Sequence, residues 1–274
     1  MQFIEKKIPV LLTALVLAAP GAGYSGGRVE IAASYDYSSG DYGQDVTTEI
    51  EYMPVSLAYT DGPWRVELTV PYIRVTGNGT VVPGSGSPLV FDNFSGGLFG
   101  SGGGSGGGSS STASVSNSGL GDVITRVGYA FMPADGSFYE LSGKVKFGTA
   151  DENDGLGTGE NDYAVQFDGV LGSGVVSPYF TVGYLVTGDS GDFTYRDVPY
   201  GSLGLMFKTG EGSSAGLGYD YRRATVSGSD DQHMASAFLG WKLTPGVSAS
   251  VSALAGFTDS TPDYGASVKL TNRF

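Results

Sequence analysis

Over most of the chain, apolar and polar residues alternate with a period of two, and turn-forming residues break the alternation at intervals. A strand whose two faces meet different surroundings carries this signature, because successive side chains project to opposite sides. The pattern predicts twelve strands. In the first, Val29 to Tyr37, the residues Val29, Ile31, Ala33, Tyr35 and Tyr37 oppose Glu30, Ala32, Ser34 and Asp36. The second, about Val46 to Tyr59, starts with Thr48, Ile50 and Tyr52 on the apolar face and changes phase to Val55, Leu57 and Tyr59. Pro54 sits at the change, where a bulge would tolerate its missing donor. After an Asp61-Gly62-Pro63 turn, the third sets Trp64, Val66, Leu68 and Val70 against Arg65, Glu67 and Thr69. A second phase change is expected at Pro71, with Ile73 and Val75 taking over the apolar face and Tyr72 and Arg74 on the other. Nine further strands begin near Asp122, Tyr139, Asp162, Phe180, Leu203, Leu217, Ala235, Val247 and Tyr264.

The connections sort by length. After each odd strand comes a longer loop, acidic or rich in glycine; after each even strand comes a short turn. An even strand number, alternating faces and sorted connections together predict an all-β fold, a 12-stranded antiparallel transmembrane β-barrel of the outer-membrane type. A soluble sandwich has no reason to sort its loops and would bury the Tyr, Val, Leu and Phe face against a second sheet. Tyrosines near strand ends, among them Tyr35, Tyr37, Tyr59, Tyr129, Tyr163, Tyr184, Tyr221 and Tyr264, suit an interfacial girdle. The final stretch, Tyr264 to Phe274, puts Tyr264, Ala266, Val268, Leu270 and Phe274 on one face. It is similar to the C-terminal signal that the barrel-assembly machinery reads, with Phe274 as the terminal aromatic.

Composition adds an address. Lys6 and Lys7 precede the apolar run Ile8 to Ala19 and the small-residue stretch Pro20 to Gly23, the layout of a secretory signal too short to span a membrane as a helix. Residues 1–23 are therefore expected to be removed, leaving 24–274 as the barrel. The absence of cysteine fits an oxidising compartment. Between strands three and four, Thr76 to Ser118 forms a long outer loop whose centre is almost pure Gly and Ser, a flexible tether by composition. Phe91, Phe94, Leu98 and Phe99 are its large apolar residues and are candidates to narrow the barrel mouth. A phosphate-binding loop is not expected there, because no Lys-Ser/Thr follows and no helix opens.

Charge decides what the interior faces. The chain carries a formal net charge of −13, and no nucleic acid is expected as a partner. The polar faces assign to the lumen the acids Glu30, Asp36, Glu49, Glu51, Glu67, Asp122, Glu140, Asp162, Asp168 and Asp220. They also assign to it the bases Arg65, Arg74, Arg126, Lys144, Lys146, Arg222, Lys242, Lys269 and Arg273. The walls thus interleave both signs, whereas a pore selecting ions by charge is lined with one. Most remaining acids fall in outer loops, where they can bind divalent cations that bridge lipopolysaccharide.

Three segments carry a family resemblance: Pro54 to Tyr72, Gly119 to Val123, and Lys144 to Thr149 with Gly157 to Tyr163. Together they resemble the outer-membrane transporter-like family named for the MetA pathway of phenol degradation. Phe147-Gly148-Thr149 and the Gly/Ser insertion before Gly119 depart from the family's pattern. The resemblance implies a channel near aromatic catabolism and supplies no catalytic residue. The expected function is passage of small, largely uncharged amphipathic solutes, phenol-type compounds among them, in contact with outer-membrane lipid and lipopolysaccharide. The alternatives are a non-conducting structural or adhesion barrel and, further off, a barrel phospholipase. For the last, the single histidine, His233, lies three residues before Ser236 without a third orienting group in sequence. The acidic run Asp151 to Gly155 misses the EF-hand spacing, so neither a metal nor another cofactor is expected.

Overall fold

A computed structural model of the chain describes residues 26–77, 114–189 and 195–274. The expected signal segment and the loop residues Phe91, Phe94, Leu98 and Phe99 lie outside the described residues. Thirteen strand segments form one sheet: β1 (Gly27–Gly40), β2 (Thr48–Asp61), β3 (Trp64–Gly77), β4 (Val115–Leu120), β5 (Val123–Phe131), β6 (Phe138–Phe147), β7 (Asp162–Val170), β8 (Val176–Val186), β9 (Val198–Gly210), β10 (Ser213–Arg222), β11 (Gln232–Lys242), β12 (Val247–Gly256) and β13 (Tyr264–Arg273). Every pairing is antiparallel, and the ring closes through β13 on β1 and β2 on β3. β4 and β5 run in line along the same neighbour, β3, so the wall has twelve staves. Closure pairs the staves around the ring, which is what lets a sheet lie in lipid; only the short β4 segment has a single strand neighbour. No helix among the described residues is long and apolar enough to cross a membrane; a barrel crosses with strands.

The outer face is apolar and exposed, as a lipid-facing wall must be. Leu57, Val66, Leu68, Val127, Leu141, Val165, Val182, Leu203, Leu217, Leu239, Val251 and Val268 all stand on it. Aromatic rings collect near the short-turn end, where Phe131, Tyr139, Phe167 and Phe180 follow one another at centroid spacings of 5.1, 5.9 and 5.8 Å. Beside them Trp64 meets Tyr129 edge-on at 4.9 Å. At the loop end, Tyr37 and Tyr264 approach to 6.4 Å.

Two prolines mark where the sequence reading and the fold part. No phase change occurs at Pro54 or Pro71: they are direct cross-strand partners, and the β2–β3 register runs unbroken from Glu49↔Thr76 to Asp61↔Trp64. Strand pairing to β1 lapses only between Val55 and Tyr52, without a slip, so the missing proline donor is absorbed there. The irregularity lies in the next stave instead. Thr69 pairs with Ile124 but Tyr72 with Leu120, one residue out of step, and Gly121 N donates to Pro71 O at 3.0 Å across the kink. Gly121 and Asp122 form a bulge that joins β4 to β5. The strand also reaches further back than the loop limit of Ser118 expected from sequence, because Ser116 and Ser118 pair with Thr76 and Arg74.

Candidate functional site

The interior is built from the residues that face inward at every second position, and in its middle they are packed. On the β5–β9 wall, Arg126 holds Glu140 in an ion pair and lies 3.5 Å from Asp168. Asp168 accepts from Gln166 Nε2 at 2.8 and 2.7 Å and from the Thr181 hydroxyl at 2.7 Å. Gln166 Oε1 in turn accepts from Lys144 Nζ at 2.8 Å and the Tyr200 hydroxyl at 2.9 Å. Gln166 is 0 % exposed, so this connected network fills its part of the lumen rather than lining an open water column. Toward the loop end, Lys146 Nζ sits between Asp122 Oδ2 at 3.1 Å and Asp162 Oδ2 at 2.7 Å. Small residues make the space: a Cβ on Gly183 would fall 2.2 Å from the Tyr200 ring, and one on Gly128 would meet Glu140 at 2.5 Å.

The opposite wall is looser. Arg65 bridges Glu30 at 3.0 Å and Glu67 at 2.6 Å near the turn end, and Arg273 Nε donates to Glu30 at 2.5 Å. Asp36 accepts from Ser34 at 3.0 Å and from Ser267, while Asp220 accepts from Ser236 at 3.0 Å. Lys269 and Lys242 face inward by register, opposite Ser34 and Ser248.

At the loop end the inward face turns apolar. Ile50, Tyr52, Ile73 and Val75 pack with Tyr42 of the 41–47 loop and with Ala150 and Leu156 of the 148–161 loop. Burial pushes the Tyr42 hydroxyl pKa above its ordinary value. Asn117 Nδ2 donates to Asp154 O at 2.7 Å, drawing the acidic loop against β4. A second apolar group, Ala164, Leu185, Val198 and Tyr200 with Ile124, stands on the facing wall. The first group went unrecognised in the sequence because the supposed phase change put Ile50, Tyr52, Ile73 and Val75 on the lipid side.

The same correction applies to Glu49, Glu51 and Arg74. With the register unbroken, they share the outward face with Leu57 and Leu68 and do not line the lumen. They form a collar on the outside of the loop end, where Arg74 pairs with Glu51 at 2.7 Å. Tyr35 Oη donates to Glu51 at 2.5 Å and Tyr37 Oη to Glu49 at 2.9 Å. His233 also faces outward, 2.5 Å from the Tyr219 hydroxyl through Nδ1, while Ser236 faces inward on Asp220. Opposite faces of one strand keep that histidine from serving that serine as a base. Among the described residues, no group of three or more His, Cys, Asp or Glu could hold a metal ion. Phe274 follows β13, its amide donating to Val29 O at 2.9 Å.

No protein-family model and no curated protein matches the chain. Solved barrels do. The KdgM porin superposes with a TM-score of 0.52 at 9% sequence identity, over 89% of this chain and 99% of that one. The β domain of the Bordetella autotransporter Brka gives 0.50 at 14% identity, over 92% and 100%. At such identities the likeness is one of fold, and the fold it establishes is the closed, twelve-stranded antiparallel barrel of outer-membrane proteins.

Proposed function

We propose that the barrel is an outer-membrane channel for small, largely uncharged amphipathic solutes, with phenol-type aromatics the first candidates. The carrying observation is the balance of the interior. With Glu49, Glu51 and Arg74 removed from the sequence-derived list, the inward acids and bases are equal in number, and most of those resolved in detail are tied to one another. A wall of paired charges offers no net field to sort ions. Its hydroxyls, amides and the apolar groups at the loop end suit a solute with a polar tip and an apolar body. Twelve strands also enclose a bore well below that of the larger porins, and here side chains occupy its middle, so passage requires a small solute and local rearrangement. The resemblance to the phenol-pathway family points to the same solutes.

In this reading, the loop end faces outward and the termini lie in the periplasm. The Glu49–Glu51–Arg74 collar then meets the headgroups of lipopolysaccharide, and the β13 strand with Phe274 is what the assembly machinery recognises. A second reading, a non-conducting structural or adhesion barrel, draws on the same packed middle.

Planar-bilayer conductance with reversal potentials under a salt gradient separates the two, together with phenol uptake by cells with and without the protein. Weak ion selectivity and protein-dependent phenol uptake are expected. Strong selectivity or unchanged uptake would refute the solute class, and a silent bilayer with no uptake would leave the structural barrel.

A further inference from the structure

The last residue of β10, Arg222, points into the barrel at the loop end, between Tyr200 on β9 and Gln232 on β11. It is 1 % exposed, and its Nε, Nη1 and Nη2 have no hydrogen-bond partner among the described residues. The hydroxyl of Thr225, also 1 % exposed, is likewise without a partner. Both line a narrow gap that Ala224, Val226, Ser229, Gln232 and Ser260 also border. Three other interior cations are treated differently: Arg65, Arg126 and Lys146 each lie within ion-pair distance of two carboxylates. Asp162, the carboxylate whose field reaches Arg222, is already engaged by Lys146 at 2.7 Å and by the Gly188 amide at 2.9 Å.

A guanidinium taken out of water without an acceptor is costly, and its planar fork matches the two oxygens of a carboxylate. Its partner across the ladder is Tyr200, which packs with Leu185 and Val198 in a buried apolar wall. We propose that Arg222 and Thr225 form the recognition site for the carboxylate of a small monoanion whose apolar body rests on that wall. The inference rests on the channel reading and extends its solute class to amphipathic molecules with one acidic head. The covering turn is secured from outside the site. Arg196 Nη2 donates to the carbonyls of Ala224 at 3.1 Å and Val226 at 2.9 Å, and Asp231 accepts from the Ala224 amide at 2.9 Å. The space as it stands is too narrow for a ligand, so the carboxylate enters only when residues 225–229 move and release the Arg196 contacts to Thr225 and Val226.

The test is calorimetric titration of the detergent-solubilised full chain, in low-chloride buffer, with benzoate, its uncharged isostere benzamide, and sulfate. Benzoate is expected to bind at least tenfold more tightly than either. Arg222→Gln should abolish the difference while keeping the heat-dependent gel shift of a folded barrel, and Thr225→Val should reduce it severalfold. Benzamide binding as tightly as benzoate, or an unchanged preference in Arg222→Gln, would overturn the proposal. Sulfate binding as tightly as benzoate would overturn it too, in favour of an inorganic-anion site. Should Arg222→Gln fail to assemble, the wild-type comparison alone decides. Benzoate preference in a barrel that conducts nothing would remove the channel and keep the site; phenol transport without benzoate preference would do the reverse.

Discussion

Replacing Lys146 with methionine keeps most of the side-chain volume and removes the one charge that holds two buried carboxylates together. Lys146 is 1 % exposed, and the Asp122 and Asp162 side chains are almost as buried. Both oxygens touch the same Nζ, so they are no more than about 6 Å apart, and with an effective dielectric of about 20 their bare repulsion is about 3 kcal/mol. Removing one partner of a buried ion pair costs about 3–5 kcal/mol, and the two figures agree. The loss should spread to the loop end. Asp122 Oδ1 also accepts the Thr149 and Ala150 amides at 3.0 Å, and Asp162 accepts that of Gly188. Guanidinium unfolding of the barrel in lipid vesicles measures the change directly. Lys146→Met should lose about 3–5 kcal/mol, and adding Asp122→Asn with Asp162→Asn should recover most of it, since the triple variant leaves no charge in this cluster. A loss below about 1 kcal/mol for the single variant would refute the argument, because the cluster would then be solvated and the lumen open at this level.

Four further outcomes are expected. Gly183→Ala drives a Cβ into the Tyr200 ring and should cost about 1–3 kcal/mol in the same assay by displacing Tyr200 from Gln166. The double variant Glu51→Gln with Arg74→Met should leave single-channel conductance and reversal potential unchanged, since the pair stands outside the lumen; a shifted reversal potential would return it to the wall. Removing Phe274 should lower assembled yield more than removing a residue of the 41–47 loop, read as the fraction of protein showing the heat-dependent gel shift. The Asp231 carboxyl is held below the usual carboxylate range, first by the Ala224 amide and then by the Tyr221 hydroxyl and the Arg223 charge. A depressed carboxyl stabilises above its unfolded pKa and loses that contribution as pH falls through its folded value. Wild type should therefore exceed Asp231→Asn in heat-shift midpoint at pH 7, with the two converging well below about pH 4.

The class of fold was legible because lipid imposes one rule on every stave. Wherever strands lacked proline, alternation alone gave the correct face, from Leu141 and Lys144 on β6 to Val268 and Lys269 on β13. Pro54 and Pro71 misled because each read singly as a reason for a bulge in its own strand. Paired across the ladder, they let β2 and β3 run straight. From this one step followed the misplacing of Glu49, Glu51 and Arg74 and the blindness to the apolar group around Ile50 and Ile73. Which inward charges meet was beyond the sequence. Arg126 finds Asp168 two staves away, and Lys146 finds Asp162 across a loop, contacts set by register and stagger around the ring. Arg222, without a hydrogen-bond partner among the described residues, was visible only as one more inward base.

The bulge at Gly121 and Asp122 also changes what can be exchanged in this barrel. Alternation from Ile124 and Arg126 puts Asp122 inside, where its carboxylate fastens the amides at the start of the 148–161 loop, while the extra residue turns Leu120 of β4 outward. The address of that loop is thus written in a different hairpin from the one that carries it. A grafted loop can keep its place over the mouth if it presents two free amides just after β6, whatever its own sequence.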